Sequence, residues 1–240
     1  MKISTFFILF GMLIISLYGL IEISYYSSAN QFITDNTNIP YLEIPKIDVN
    51  QPINNKSVDY GIYHDLKSAK PGLGTIALFG HRTLHGSSFL NLDKLQPGDN
   101  ITIKWPGIGN VEYEVINSTI VQASYKLSVE QGNTLFLATC YPFGTSNERL
   151  MIRATQVHIY PLNMSNKKID NNPQYALIII LAFFIGGIII SSIYPVKEEQ
   201  HIIFLATIII TLFLIITYIY PIPPTAIESK LSLINKIIGV

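Results

Sequence analysis

Three long apolar runs limit what this chain can fold into more than any other feature. Ile3–Ile21 and Ile202–Tyr220 each hold 19 residues, and Tyr175–Tyr194 holds 20. A helix needs about 20 apolar residues to cross a bilayer, so each run is long enough to span one. The runs leave charged residues at 13% of the chain against 49% apolar, a balance unlike that of an ordinary soluble domain. Lys2 ahead of the first run places the N-terminus inside and the following domain outside. The first run is long for a signal-peptide core, so an uncleaved anchor is favoured over a leader removed near Ser27-Ser28-Ala29. Pro195 and Pro221 stop the other two runs, and the five-residue loop Val196–Gln200 makes them a helical hairpin. Lys197 fits the inside, whereas Lys167 and Lys168 fall on the side expected to be outside. In the tail, Ile227, Leu231, Ile234 and Ile238 recur at helical spacing. They read either as a helix on the membrane surface or as a frayed or dimer-packed end.

The expected organisation is therefore an anchor over 1–24, a linker over 25–40, an extracytoplasmic domain over 41–160 and a linker over 161–174. A transmembrane hairpin over 175–221 and an amphipathic tail over 222–240 follow. Membrane lipid is an expected partner, and the expected location is the cell membrane with several passes. Lysine plus arginine and aspartate plus glutamate balance at 16 each, with no basic run. That argues against nucleic acid as a partner.

The domain between the runs is mostly β. Short strand-like segments lie at Tyr41–Ile44, Thr75–Phe79, Asn100–Trp105, Val111–Ile116, Ser118–Gln122, Thr134–Thr139 and Arg149–Val157. Turn signals such as Pro106-Gly107-Ile108-Gly109-Asn110 separate them. Phe89, Leu92 and Leu95 at three-residue spacing read as a short helical turn. Such a series predicts a barrel or sandwich rather than alternating strands and helices.

Cys140 is the single cysteine, so no intrachain disulfide forms. It ends the apolar run Leu135–Thr139 and precedes a turn, where a thiol is a candidate nucleophile. Such a thiol needs a proton partner, usually histidine. His81 follows the buried run Thr75–Phe79 and Gly80, so it also stands at a strand end. His85 lies in a polar loop, His64 in a short helix, His158 at the end of the last strand and His201 in the membrane loop. A metal held by His64, His81, His85 and Cys140 is the lesser reading. The nearest pair, His81 and His85, is four apart in a loop, so no metal or other cofactor is expected. Acyl transfer also needs a group to hold the substrate carbonyl. Alternation puts Arg149, Met151, Arg153 and Thr155 on one strand face, with Leu150, Ile152 and Ala154 on the other. Arg149 is the arginine nearer Cys140, and a solvated surface role remains open for it.

These residues resemble the sortases, membrane-anchored cysteine transpeptidases of prokaryotic surfaces. LATCYPFG followed by ERLMIRA resembles their cysteine and arginine strands. ALFGHRTLHGSSFLNLDKLQPGD resembles their histidine segment, and YLEIPKIDVNQPI with YGIYHD resembles their first strands. The likeness covers about residues 41–157. It implies a closed sortase-type β-barrel with short helices, beside the three transmembrane helices. It implies Cys140 as nucleophile, His81 as general acid/base and Arg149 as the carbonyl-holding arginine. Ala138 and Thr139 become substrate-groove candidates, Thr139 either shaping the groove, positioning the thiol or serving only as a strand residue. The nine-residue step from Cys140 to Arg149 is most similar to the pilin-polymerising and related smaller classes. Phe136 stands where the family often has threonine, no Asp-Pro-aromatic lid segment precedes the domain, and family members usually carry one anchor.

The implied reaction cleaves a C-terminal sorting signal of secreted proteins through a Cys140 thioester. The acyl group then passes to an amine of the cell envelope or to a pilin-like lysine, as in cell wall anchoring. The alternatives are a membrane-tethered thiol peptidase, a hydrolase using water, and a non-catalytic surface module that binds peptides.

Overall fold

A computed structural model describes residues 2–34, 38–83, 85–127, 132–143, 147–161 and 174–222. The chain divides into two compact units, Met1–Asn30 with Asn172–Val240, and Gln31–Asn171. The expected tail helix and most of the second linker lie outside the described residues.

The first unit is helical. It contains most of α1 (Ile3–Thr34), with α2 (Gln174–Ile193) and α3 (Lys197–Ile219), each with a stretch long and apolar enough to cross a membrane. Apolar side chains of all three meet: Leu20 and Ile23 of α1, Ala176 and Ile180 of α2, and Leu214 of α3. Gly187 permits a close crossing of α2 and α3, because a Cβ there would collide with Thr207. At the other end Glu199 accepts hydrogen bonds from the Lys2 backbone N–H at 2.8 Å and from the Thr5 hydroxyl. The Tyr194 hydroxyl meets Ser4 Oγ at 2.7 Å and Thr5 Oγ1 at 2.6 Å. The first turn of α1 is thus tied to the connection between α2 and α3. α1 also continues through Thr34, where a linker is expected from residue 25. No glycine or proline interrupts Tyr25–Thr34. Tyr25 is buried, and the Tyr26 ring packs 5.5 Å from Tyr175. Packing there overrides the weak helix propensity of Ser27, Ser28 and Asn30.

The second unit is the expected closed barrel. Its strands are β1 (Tyr41–Ile44), β2 (Val49–Asn54), β3 (Ile62–His64), β4 (Ile76–Phe79), β5 (Asn100–Trp105), β6 (Gly109–Gln122), β7 (Thr134–Tyr141) and β8 (Glu148–Tyr160). The order around the barrel is β1-β2-β3-β4-β7-β8-β6-β5, and β5 closes on β1. Closure removes the open strand edges that would otherwise invite pairing with other chains. Inward positions follow the strand period of two: Ile101 and Ile103, Val111, Tyr113 and Val115, Leu135 and Leu137, Leu150, Ile152 and Ala154. Phe89, Leu92 and Leu95 join the same core from the connection between β4 and β5, which includes the 3-10 turn Leu92–Lys94.

Two local readings change. His64 lies in β3, not in a helix, because Ile62 pairs with Ile53 and His64 with Leu78. Its buried ring meets Trp105 edge-on at 5.1 Å. The segments Val111–Ile116 and Ser118–Gln122 form one strand, β6, which stays paired to β8 through two register shifts. Bulges absorb the irregularity where a turn would otherwise be needed.

Gly80 follows β4 where the Phe89 ring covers the backbone, and a Cβ there would stand 2.7 Å from that ring. Gly80→Ala is therefore expected to destabilise the barrel by about 1–3 kcal/mol through overpacking. Thermal melting of the detergent-solubilised chain reads this, and an unchanged midpoint contradicts the packing.

Candidate active site

β4 and β7 run parallel and side by side, with Phe79 opposite Ala138. The same register carried two residues further brings His81 level with Cys140. Two hydrogen bonds hold this continuation. The Gly80 N–H donates to the Ala138 carbonyl at 3.2 Å, and the buried Thr139 hydroxyl donates to the Gly80 carbonyl at 2.8 Å. A third link lies one residue on, where the Arg82 guanidinium sits 5.4 Å above the Tyr141 ring. Arg82 is itself buried and paired with Asp93 at 2.8 Å.

β8 supplies the other neighbour. Cys140 stands directly opposite Arg149, and Ala138 opposite Met151. Opposed residues share a face. On β7, Leu135 and Leu137 fill the core, whereas Phe136 and Ala138 face the other way and cluster with Met151, Phe79, Val121 and Leu127. Cys140 falls on that second face by the same alternation. The face is not simply solvated. It is the floor of an open groove of roughly 1040 Å³ whose lining includes Ala138, Met151, Phe79, Lys126 and Arg149. The Arg149 guanidinium donates to the Glu148 carbonyl at 3.0 Å.

The structure therefore brings Cys140, His81, Arg149, Ala138 and Thr139 to one rim, with Thr139 turned inward as a tie rather than toward the groove. His64 lies in β3, His158 near the far end of β8 from Arg149, and His201 in α3. Two more residues join: Asp59, to which the sequence assigned no chemistry, and His85, which it named only in the lesser metal reading. Asp59, in the 3-10 turn Val58–Tyr60, lies with Oδ1 3.1 Å from His81 Nε2 and accepts from Ser57 Oγ through Oδ2 at 2.7 Å. The His85 ring lies 4.8 Å from that of His81, tilted by 32°. His85 is not on the polar surface but only 2% exposed. Left-handed backbone at His85 (φ 53°), Gly86 (φ 72°) and Ser87 (φ 46°) turns the loop inward. A serine two positions before an aspartate was the one available signal for Asp59, as a turn cap.

Burial alone would raise the Asp59 carboxyl. Hydrogen bonds from His81 and Ser57, with the charges of His85 and His81, hold it below its ordinary value. Burial pushes His85 down to about 4, with His81 adding to the shift and Asp59 opposing it. A histidine lowered on folding binds its proton more readily in the unfolded chain. Its cost is absent above the ordinary value of 6.5 and grows as the pH falls toward about 4. The barrel is expected to lose about 3 kcal/mol over that window from His85. Melting temperatures of the chain and of His85→Gln, taken from neutral pH downward, check this: the variant is expected to show the shallower decline.

Residues 42–157 match the family described as Sortase domain. Sortase SrtE1 of Streptomyces coelicolor is 30% identical over 145 residues, covering 50% of this chain and 40% of the relative. The chain thus spans less than half the length of that curated relative. Among solved structures, Sortase E1 from Streptomyces coelicolor with a tripeptide in its active site is 29% identical, covering 56% of this chain and 95% of that one at a TM-score of 0.47. Sortase A from Corynebacterium diphtheriae is 28% identical, covering 52% and 63% at a TM-score of 0.47.

Proposed function

The chain belongs to the sortase family of cysteine transpeptidases, and on that premise we propose that its barrel joins secreted proteins to an amine acceptor at the cell envelope. The observation that supports the proposal is the register of the three strands: β4 and β7 run parallel, so His81 and Cys140 follow at neighbouring strand ends, and Arg149, which lines the groove, stands opposite Cys140. An extended C-terminal sorting signal lies in the groove, with apolar side chains against Ala138 and Met151. The Cys140 thiolate attacks a backbone carbonyl carbon, and Arg149 stabilises the oxyanion that forms. As the carbon–nitrogen bond breaks, His81 gives its proton to the leaving amine and a thioester remains. An incoming amine loses a proton to His81, attacks the thioester carbonyl and expels the Cys140 thiolate. Asp59 holds the His81 ring through Nε2, leaving Nδ1 as the nitrogen that exchanges protons. Thr139 fixes the spacing between the two strand ends.

The helical unit supports a multi-pass reading. Its first turn and the α2–α3 connection lie at one end of the unit, tied through Glu199, while Tyr26 and Tyr175 meet at the other. With Lys2 inside, the chain leaves α1 and re-enters α2 on the outer side, where the barrel works.

The test compares cells carrying the native chain with cells carrying Cys140→Ala, by mass spectrometry of proteins left covalently attached to the stripped envelope. Specific proteins are expected to lose a C-terminally trimmed linkage in the variant. Trimmed but unattached products in native cells would favour hydrolysis, with water as acceptor. With a purified signal peptide and amine, His81→Ala is expected to slow turnover by about 10²–10⁴-fold. Arg149→Ala is expected to slow it by about 10²–10³-fold. Undiminished turnover in either variant removes that residue from the mechanism.

A further inference from the structure

We propose that Asp59, His81 and His85 form a binding site for a divalent transition-metal cation of the zinc type, and that its occupancy blocks turnover. The block rests on the transpeptidase reading; the metal site does not.

The three side chains come from two separate parts of the barrel, the 3-10 turn before β3 and the loop after β4. One donor atom from each lies within 4.8 Å of the others. His81 Nε2 and Asp59 Oδ1 are 3.1 Å apart. Zinc bonds of about 2.0–2.1 Å in a tetrahedron set neighbouring donors roughly 3.3 Å apart, so a cation can take the place of the proton between these two atoms with little movement. The His85 donor lies within 4.8 Å of the other two, and movement of its ring toward them would complete the set. Asp59 Oδ2 accepts from Ser57 Oγ at 2.7 Å, the kind of outer contact that orients a ligating carboxylate.

Burial fits the same reading. Asp59 is 5% and His85 2% exposed, whereas the His81 side chain is 19% exposed. A cation would thus have two walled sides and one side open to water. A loop histidine ordinarily points to solvent; here two non-glycine residues take left-handed backbone to turn His85 inward, a cost that folds carry mainly where a site needs it. Two imidazoles and one carboxylate suit zinc, cobalt or ferrous iron rather than calcium or magnesium, which prefer oxygen donors alone. The cation would take the Nε2 lone pair and leave the one ring proton on Nδ1, so His81 could no longer become the imidazolium that gives its proton to the leaving amine. Free zinc at the cell exterior would then set the fraction of active enzyme.

The full chain carrying Cys140→Ala, purified in detergent and stripped by chelator, is the material for the test, because it excludes binding by the thiol. Cobalt titration is expected to give one ion per chain, with d–d absorption from nitrogen and oxygen donors. Asp59→Asn and His85→Gln are each expected to weaken binding at least about tenfold, with melting curves confirming that both fold. Zinc-edge X-ray absorption on the Cys140→Ala chain alone reads the donors without further substitution, and two imidazoles with oxygen are expected. No saturable binding at micromolar metal, or a shell with fewer than two imidazoles, overturns the site. For the native enzyme, micromolar zinc is expected to stop transpeptidation and chelator to restore it. Full turnover at saturating zinc overturns the block. Absence of transpeptidation even with chelator would instead count against the function proposed above, while the binding data still decide the site.

Discussion

The parallel pairing of β4 with β7 is the constraint on which the rest of the site depends. Antiparallel neighbours would bring the end of one strand to the start of the other. Parallel neighbours bring both ends to the same rim, and here those ends carry Gly80-His81 and Thr139-Cys140. The hydrogen bonds between Gly80, Ala138 and Thr139 extend the pairing past the last residue of β4. Gly80 meets two demands at once, a backbone bonded to β7 and a surface close enough to carry the Phe89 ring. The loop bearing His81 is therefore fixed from below by core packing and from the side by the ladder. Reacting groups must be held to within a fraction of an ångström to act together, and these contacts are of the kind that can do so.

The barrel wall at β7 and β8 is apolar on its inner face and carries a small apolar cluster on the outer one. Leu135, Leu137, Leu150 and Ile152 serve the closed core, while Phe136 packs with Ala138 and Met151 on the other face, the last two lining the groove. In the function proposed above, that cluster gives an extended peptide an apolar surface to lie against. In the mechanism proposed above it also sets Arg149 beside apolar surface, where a charge would act more strongly on an oxyanion than it would in water. The polar counterpart is the Asp59, His81 and His85 cluster. A buried carboxylate is costly unless hydrogen-bonded, and Asp59 is satisfied by Ser57 and His81. Removing either partner strands the charge, so the turn before β3 and the loop after β4 are energetically coupled.

The helices follow a separate logic. In the multi-pass reading proposed above, lipid supplies no hydrophobic drive between helices, so close packing and polar contacts must associate them. Gly187 against Thr207 provides the first, and Glu199 with Lys2, Thr5 and Tyr194 the second. α1 is in this way an integral third of its unit rather than a tether with one end in use.

Sequence alone determined the features that depend on local chemistry and period. The three apolar runs followed from their length. The inward set of β8 followed from alternation, and Cys140 and His81 stood out as strand-end residues of reactive type. Arg149 was readable as the nearer of two arginines on one face. Asp59 and the inward turn of His85 were not readable, because each depends on contacts between segments more than twenty residues apart. His64 looked helical for the same reason: a three-residue strand exists only through β2 and β4 on either side. The length of α1 beyond residue 25 likewise came from packing on Tyr175, which no local propensity encodes. Only the tertiary structure decided that β4 and β7 run parallel, and hence that the thiol and the imidazole share a rim. Strand direction within a sheet is set by how the whole barrel closes, and closure is a property of all eight strands at once.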